Sequence, residues 1–244
     1  LLGENGAGKS TLVKIITGVY QPDKGELLLN GTPVRFSDAR TSRQAGIAAI
    51  YQELSLFPDL GVAENIFAGR QPVTTGGRVD WRKLYAEAGT LLESLGVKLD
   101  LKQKARTLSI AQQQMVEIAR AFSINAQILI MDEPTSSLTL HEVDDLFRLV
   151  QRLRDDGTAI IFISHRLEEL FALADRVTVL RDGSYVDTRV MKDVTRDDLI
   201  RMMVGRTISN LFPKQDVQAG DVILKVENLT RAGFFDKVSF ELRR

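Results

Sequence analysis

The chain has 244 residues, equal numbers of Lys+Arg and Asp+Glu (32 each), no cysteine and 44% hydrophobic residues. This composition predicts a packed globule, excludes disulfides and thiolate metal sites, and gives no basic footprint for nucleic acid or an anionic membrane surface. The two histidines, His141 and His165, argue against a histidine-based metal centre, and no apolar run approaches the roughly 18 residues that span a bilayer.

The sequence opens with a glycine-rich loop. Residues 3–10 (GENGAGKS) fit the pattern GxxxxGK[ST], in which glycines let backbone N–H groups curl around a polyphosphate. Lys9 would reach the β and γ oxygens, and the Ser10 hydroxyl would bind Mg²⁺. An ordinary glycine-rich turn is the alternative. The residues predicted to contact nucleotide here are Gly3, Glu4, Asn5, Gly6, Ala7, Gly8, Lys9, Ser10 and Thr11.

The elements around this loop are predicted from hydrophobic periodicity. Leu1 and Leu2 have the character of a strand end, so we expect a fragment that lacks its first strands. Leu12, Ile15, Ile16 and Val19 recur at helical spacing and predict a helix that Gly18 and Pro22 stop. Residues 26–36 predict a hairpin and 47–51 a short strand. Mostly helical patterns then fill residues 53–125.

Two later apolar runs predict buried parallel strands. Residues 128–131 end in Asp132 and Glu133, and residues 158–164 are followed by His165. Asp132 would hold Mg²⁺ through water, and Glu133 would face the γ-phosphate and polarise the attacking water. Solvated acids at a strand end are the alternative. If both strands are parallel, His165 lies at the same edge and can bind the γ-phosphate, although a single histidine is more often structural.

The pattern in the rest of the chain predicts an α/β domain followed by the start of a second domain. Helices at 143–153 and 167–174 and a hairpin near residues 182–183 continue the alternation of strands and helices. Residues 206–221 are polar, contain a proline and lack periodicity, which is typical of a linker. Alternating apolar residues in 222–244 predict two more strands.

Two further motifs have competing interpretations. Gln52 follows a predicted strand, where its amide can contact both Mg²⁺ and the attacking water; a surface glutamine is the alternative. Ser109 and Gln112 form an S-x-x-Q capping box, which needs no role beyond starting a helix. The functional alternative is that this helix start donates N–H groups to the γ-phosphate of a second nucleotide on a partner domain.

Taken in order, these motifs resemble the ATP-binding-cassette (ABC) ATPases from Leu1 to about Gly205. The resemblance assigns Gln52 to the Q-loop, residues 108–112 (LSIAQ) to the signature, residues 136–139 to the D-loop and His165 to the switch histidine. It implies that Ser109, Ile110, Ala111 and Gln112 contact a partner's nucleotide, and that Ser10, Gln52 and Asp132 surround Mg²⁺. The family's signature has glycines where this chain has Ile110 and Ala111, whose Cβ atoms hinder close approach to phosphate.

Longer sequence segments resemble the first half of the two-cassette ATPases that serve bacterial sugar importers of the ribose, galactose and xylose type. The segments that carry this likeness include LSIAQQQMVEIARA and ISHRLEELF. The expected fold is an α/β P-loop NTPase with a mainly parallel sheet and a helical subdomain inserted at about 53–125. The expected domains are residues 1–205 as the first cassette, 206–221 as a linker and 222–244 as the first strands of a second cassette.

The resemblance implies an ATP-hydrolysing subunit that uses ATP and Mg²⁺ to power sugar import. Implied partners are a second cassette, transmembrane permease subunits and, indirectly, a periplasmic sugar-binding protein, with no nucleic acid. The implied location is peripheral, on the cytoplasmic face of the inner membrane. Two alternatives stay open: a soluble ABC-type ATPase that acts on ribosomes or nucleic acid, and, for the fragment alone, a nucleotide-binding module without turnover.

Overall fold

The computed structural model describes residues 1–51, 54–124, 126–205 and 220–244. The chain divides into two compact units, Leu1–Gly205 and Arg206–Arg244. The helices are α1 (Lys9–Ile16), α2 (Ala39–Gln44), α3 (Val62–Ile66), α4 (Trp81–Ser94), α5 (Ile110–Phe122), α6 (Leu140–Asp155), α7 (Leu167–Leu173) and α8 (Arg196–Val204), with short 3-10 helices at Ala105–Thr107 and Met191–Asp193. The strands are β1 (Leu27–Leu29), β2 (Thr32–Val34), β3 (Ile47–Ile50), β4 (Ile128–Asp132), β5 (Ala159–Ile163), β6 (Arg176–Arg181), β7 (Ser184–Val190), β8 (Val222–Arg231) and β9 (Phe235–Arg243).

A parallel sheet of β3, β4 and β5 lies at the centre of the first unit. β4 is the middle strand, and Leu129, Ile130 and Met131 in it have no exposed surface. It pairs with β3 on one side and with β5 on the other. Because the three strands run in the same direction, their carboxyl ends lie at one edge of the sheet. The predicted α/β fold with a parallel sheet is confirmed.

The residues before the glycine-rich loop extend this sheet. The Leu1 nitrogen donates to the Phe162 carbonyl at 2.7 Å. The Leu2 N–H donates to Thr178 O at 2.9 Å, and the Leu180 N–H donates to Leu2 O at 2.8 Å. Leu2 is fully buried and forms a parallel bridge to β6. The loop therefore leaves from between β5 and β6, at the carboxyl edge.

Helix α1 ends just before Gly18, the residue that was predicted to stop it. The helix stops at Ile16, and Gly18 has a left-handed backbone with φ of 73°. Consequently Val13 is the buried residue of this helix, whereas Val19 falls beyond its end and is exposed. A Cβ atom at Gly18 would lie 2.5 Å from the Asp38 carbonyl, so this position admits only glycine.

The two predicted hairpins are confirmed, because β1 pairs with β2 and β6 with β7 in antiparallel fashion. Their two-residue turns have positive φ at both positions: 51° and 75° at Asn30-Gly31, and 50° and 77° at Asp182-Gly183. These values are those of type I′ turns, whose twist matches that of the strands they join.

Helices α3, α4 and α5 pack against one another. They lie between β3 and β4 in the sequence. The Asp80 carboxylate caps α4 by accepting from the Lys83 N–H at 3.0 Å. Leu84, Ala88 and Leu92 form the buried stripe of this helix. Among the described ranges, no helix combines the length and apolar character needed to pass through a membrane.

The second unit contains the antiparallel hairpin of β8 and β9. Leu224 lies opposite Leu242, and Val226 lies opposite Phe240, so the alternating apolar residues share one face of the hairpin. The two strands predicted in residues 222–244 are thus confirmed. Most of the predicted linker, residues 206–219, lies outside the described residues.

The buried position of β4 leads to a stability prediction. Leu129→Ala should lower the free energy of unfolding by about 2–5 kcal/mol, because it leaves a cavity in the centre of the sheet. Urea unfolding would measure the change. Leu140→Ala is the matched control, since Leu140 is 81% exposed, and it should change stability by less than about 0.5 kcal/mol. Equal effects of the two substitutions would contradict the assignment of β4 to the core.

Candidate nucleotide-binding site

The glycine-rich loop is shaped by backbone conformations that favour glycine. Gly6 and Gly8 have φ of 83° and 94°. Gly3 is closely packed, since a Cβ atom there would lie 2.4 Å from the Leu180 carbonyl oxygen. The loop ends directly in helix α1, with Gly8 at the N-cap. First-turn N–H groups of a helix have no partner within it, so this loop and helix start form a concave surface suited to an anion.

The Lys9 side chain folds back into this loop. It is 7% exposed, and its ammonium group donates to the carbonyls of Gly3 at 2.9 Å and Glu4 at 3.1 Å. A buried ammonium held by two carbonyls is a positive charge that can transfer to phosphate oxygens. Glu4, Asn5, Gly6, Ser10 and Thr11 are exposed around the same concavity, whereas Ala7 is buried against Gly3.

Asp132 stands at the end of β4, beside the loop. Burial and the neighbouring Glu133 carboxylate raise its pKa above the ordinary value, while the Lys9 charge and the Ser10 hydroxyl oppose this shift. Lys9, Ser10 and Asp132 are therefore close neighbours, although 123 residues separate Lys9 from Asp132 (132 − 9) in the sequence.

The oxygen atoms of Ser10 and Asp132 fit a Mg²⁺ ion. A hydroxyl and a carboxylate are ligands that Mg²⁺ accepts, and the ion usually keeps several waters and binds substrate phosphates as well. Within the described part of the chain, no group of three or more acidic, His or Cys side chains could hold a metal alone. A Mg²⁺ ion bound by these two oxygens would take its other ligands from water and substrate phosphates.

Glu133 has a strained backbone that directs its side chain. Its φ is 49°, a left-handed conformation that costs roughly 1–3 kcal/mol in a residue other than glycine. The Glu133 N–H donates to the Ile163 carbonyl at 3.0 Å, which holds the turn against the end of β5. The strain is therefore maintained by pairing between β4 and β5, and it is of the kind that clusters at active sites.

His165 lies beside Glu133, although 32 residues separate them (165 − 133). The distance from His165 Nδ1 to Glu133 Oε1 is 3.3 Å, and the side chains are 58% and 16% exposed respectively. The parallel register, which pairs Asp132 with Ile163, produces this contact. The predicted convergence of Lys9, Asp132, Glu133 and His165 at one sheet edge is thus present.

Gln52 lies outside the described residues. The preceding strand β3 runs parallel to β4, with Ile50 opposite Met131, so β3 ends at the same edge as Asp132. The role of Gln52 stays a prediction.

The residues of the predicted signature start helix α5. The Ser109 N–H donates to Gln112 Oε1 at 2.9 Å, and the Gln112 N–H donates to Ser109 Oγ at 3.2 Å. These reciprocal bonds confirm the capping box. Ile110 is 46% exposed and Ala111 is nearly buried. The hydrogen bonds of Ser109 and Gln112 belong to the helix start, so contact with a second nucleotide stays a prediction.

Glu169 is a further residue near the site, and it was not predicted from the sequence. Two adjacent acids, Glu168 and Glu169, occupy the first turn of α7, where the helix dipole alone favours negative charge. In the structure Glu169 is buried and bonds to Ser164 and Arg166, on either side of His165. A carboxylate one helical turn after a candidate catalytic histidine is the signal that sequence offers.

Comparison with known proteins identifies the family. Residues 1–136, more than half of the chain, match the family model described as ABC transporter. The chain belongs to the ABC transporter family. The structure of the ADP conformation of MJ1267, an ATP-binding cassette of an ABC transporter, has a TM-score of 0.70 and 25% identity, and the match covers 84% of this chain and 86% of that one. A nucleotide-free ATP-binding cassette at 24% identity, with a TM-score of 0.69, supports the same fold.

The matches to curated relatives extend over the whole length of this ABC chain. It is 53% identical over 244 residues to ribose import ATP-binding protein RbsA 2 of Streptomyces avermitilis, a match that spans 100% of this chain and 48% of the relative. It is 51% identical over 243 residues to a putative ribose/galactose/methyl galactoside import ATP-binding protein 2 of Agrobacterium fabrum, 47% of which is covered. The chain therefore spans about half the length of the curated relatives it matches.

The raised pKa of Asp132 generates a prediction about stability and pH. Asp132→Asn should raise the melting temperature at pH 7 by about 2 °C without nucleotide and with a chelator, because it removes a partly buried charge that Glu133 repels. The gain should disappear as the pH falls to 3.8, the ordinary value for this carboxyl, because the wild-type group is then increasingly protonated. Differential scanning fluorimetry would measure both.

The control for this prediction is Asp145→Asn on α6, which removes an exposed carboxylate paired with Arg148. It should leave the melting temperature within about 1 °C, since exposed pairs contribute little. A lower melting temperature for Asp132→Asn at pH 7 would contradict the account of the site's electrostatics.

Proposed function

We propose that this chain is the ATP-binding and ATP-hydrolysing cassette of a sugar importer. The observation that carries the proposal is the contact between Glu133 and His165 beside Asp132 and the Lys9 loop. It brings a carboxylate base, a hydrogen-bonding imidazole, a metal ligand and a phosphate loop to one edge of the sheet. Family membership and the likeness to import ATP-binding proteins support the same function.

In the proposed mechanism, the phosphates of ATP bind to the backbone of residues 3–10, and Lys9 turns from its two carbonyls to the β and γ oxygens. Glu133 accepts a proton from a water molecule that attacks the γ-phosphorus. The new P–O bond forms as the bond to the bridging oxygen of ADP breaks. His165, whose Nδ1 lies 3.3 Å from Glu133 Oε1, donates a hydrogen bond to the γ-phosphate.

Mg²⁺ would neutralise charge on the β- and γ-phosphates, and Ser10, Asp132 and Gln52 are its proposed ligands in this chain. The adenine-binding part of the site is not assigned to any residue of this chain. For Gln52 the support is its place directly after β3, which ends at the same edge as β4.

We further infer that residues 1–205 form one cassette, with 53–125 as its helical subdomain, and that residues 222–244 begin a second cassette after the linker 206–221. The division of the chain after Gly205 supports this assignment, as does the fact that the relatives are about twice as long. The start of α5, with Ser109, Ile110, Ala111 and Gln112, would face the nucleotide of the second cassette. The Cβ atoms of Ile110 and Ala111 would weaken that partner site and leave the Lys9 site intact.

Membrane subunits are the proposed partners, with a periplasmic sugar-binding protein acting through them, and the proposed location is the cytoplasmic face of the inner membrane. A cavity of about 450 Å³ near residues 55–70 is a suitable docking groove. Its described lining includes the aromatic rings of Tyr51 and Phe57 and the cations Arg43, Arg70 and Arg120. Glu117 also lines it and pairs with Arg120. Burial, followed by the charges of Arg43 and Arg120, lowers the pKa of Arg70, so the groove favours an acidic segment of a partner.

The rival is a soluble ABC ATPase that acts on ribosomes or nucleic acid. Such a partner carries dense negative charge and calls for a basic surface. The net charge of zero argues against it, and the likeness to ribose import ATP-binding proteins favours import. A cassette that binds nucleotide without turnover is the other alternative, and substitution of Glu133 distinguishes it.

Glu133→Gln in the full-length protein should lower the ATPase rate about 10²–10⁴-fold, because the amide cannot accept the proton of water. ATP should still bind, which a fluorescent nucleotide analogue would measure. The control is Glu87→Gln, an exposed acid on α4 that pairs with Lys83, and it should leave turnover unchanged. Undiminished turnover of Glu133→Gln would remove Glu133 from the role of base.

The transport role predicts that permease subunits co-purify with the full-length protein. Arg43→Glu should weaken this association about tenfold, since it reverses a charge in the groove. Arg43 is exposed and its guanidinium bonds within its own helix, to Ala39 O, so folding should be kept. Arg78→Glu, at an exposed position away from the groove, is the control. Co-purification of ribosomes or nucleic acid in place of membrane subunits would favour the soluble alternative.

A further inference from the structure

The loop that carries His165 is held by a buried carboxylate. Glu169 is 5% exposed. The Ser164 hydroxyl donates to Glu169 Oε2 at 2.6 Å, and the Arg166 guanidinium donates to Glu169 Oε1 at 3.0 Å. The Glu169 N–H also donates to the Arg166 carbonyl at 3.2 Å. Both sequence neighbours of His165 are therefore bonded to one residue.

A fourth hydrogen bond closes the loop across His165 itself. The Arg166 N–H donates to the Ser164 hydroxyl oxygen at 3.0 Å, while the hydrogen of that hydroxyl points to Glu169. The bonds form a chain from the backbone of Arg166 through Ser164 to Glu169. This chain fixes the backbone on both sides of His165, and thus the direction in which its imidazole leaves the main chain.

The adjacent acid shows that burial of Glu169 is not a general property of this helix start. Glu168 is 69% exposed and pairs with Arg196 at 3.2 Å on the surface. A buried carboxylate loses solvation, and only good hydrogen bonds and an opposite charge offset that loss. Apolar packing would serve a purely structural position equally well, so the bonding pattern of Glu169 needs another reason.

The segment around His165 also holds the turn of Glu133, and this gives a reason for the hydrogen bonds of Glu169. The carbonyl of Ile163 accepts the bond that maintains the left-handed turn of Glu133, and Ser164 is the next residue. The His165 side chain is 58% exposed and reaches Glu133 at 3.3 Å. An exposed imidazole has few contacts to restrain it, so its orientation depends on the main chain beneath it.

We propose that Glu169 is a positioning residue for His165, which keeps the imidazole aligned with Glu133 during ATP hydrolysis. This inference rests on the proposed function, in which His165 takes part in turnover. Glu169 acts through the backbone of residues 164–166 and contacts neither nucleotide nor metal. Loss of its charge would free the His165 loop while leaving the phosphate loop unchanged.

A double-mutant cycle in the full-length protein tests the proposal. Glu169→Gln keeps the side-chain volume, but its amide NH₂ cannot accept a hydrogen bond. We expect kcat to fall about 10- to 100-fold, the effect of misplacing a reacting group by about 1 Å, with the KM for ATP within about twofold of wild type. Glu168→Gln is the matched control, one residue earlier in the same helical turn, and should leave both constants unchanged.

The decisive measurement adds His165→Ala. If Glu169 acts through His165, the variant that carries both substitutions should have the kcat of His165→Ala alone, within about twofold. If Glu169 had a merely structural role, the losses in kcat from the two substitutions would multiply in the double variant. The kcat of every variant would then fall. Ser164→Ala is the second variant, because it removes one donor and retains the Arg166–Glu169 pair. It should also lower kcat, with no added loss in the His165→Ala background.

The outcomes separate this inference from the proposed function. If His165→Ala keeps wild-type turnover, the catalytic role of His165 fails and this inference fails with it. If His165→Ala loses turnover but neither Glu169→Gln nor Ser164→Ala does, only the positioning role is overturned. Multiplied losses in the double variants overturn it as well. If Glu169→Gln does not fold, the cycle with Ser164→Ala decides.

Discussion

The parallel pairing of β4 with β5 is the constraint on which the site depends. One register, with Asp132 opposite Ile163, determines which side chains follow the two strands at the carboxyl edge. A shift of a single residue would turn the side chains of a strand to the opposite face of the sheet. The contact of Glu133 with His165 therefore follows from backbone hydrogen bonds within the sheet, and the apolar residues of β4 that bury this pairing also support the chemistry at its end.

The glycine-rich loop joins the same edge from a third direction. Leu2 pairs with β6, and the Leu1 nitrogen reaches β5, so the loop starts from a fixed point of the sheet. Lys9 then meets a carboxylate that lies more than a hundred residues further along the chain. Sites of this kind, at the carboxyl ends of parallel strands, gather residues from separate segments onto rigid elements, while the intervening helices can vary.

Much of this arrangement could be predicted from the sequence, because its signals are local. The loop has a fixed spacing of glycines, the strands are short apolar runs, and Asn30-Gly31 and Asp182-Gly183 specify their turns by positive φ. The end of α1 was also predicted from Gly18, whose left-handed backbone follows the helix, although the apolar spacing continues to Val19. Glu169 was not predicted, because its position one helical turn after His165 is a weak signal that the adjacent Glu168 nearly shares. In the structure, bonds to Ser164 and Arg166 distinguish the buried acid from the exposed one. The capping box at Ser109 was predicted, but its bonds satisfy the helix start and leave any further role untested.

The left-handed backbone of Glu133 has a consequence for how such a domain evolves. Its conformational cost lies in the main chain, since the left-handed backbone and not a rotamer sets the direction of the carboxylate. Replacement by glycine would relieve this cost and remove the acid at the same time. Selection for greater thermal resistance therefore acts against the geometry that chemistry needs, and at this position robustness and turnover cannot be improved together.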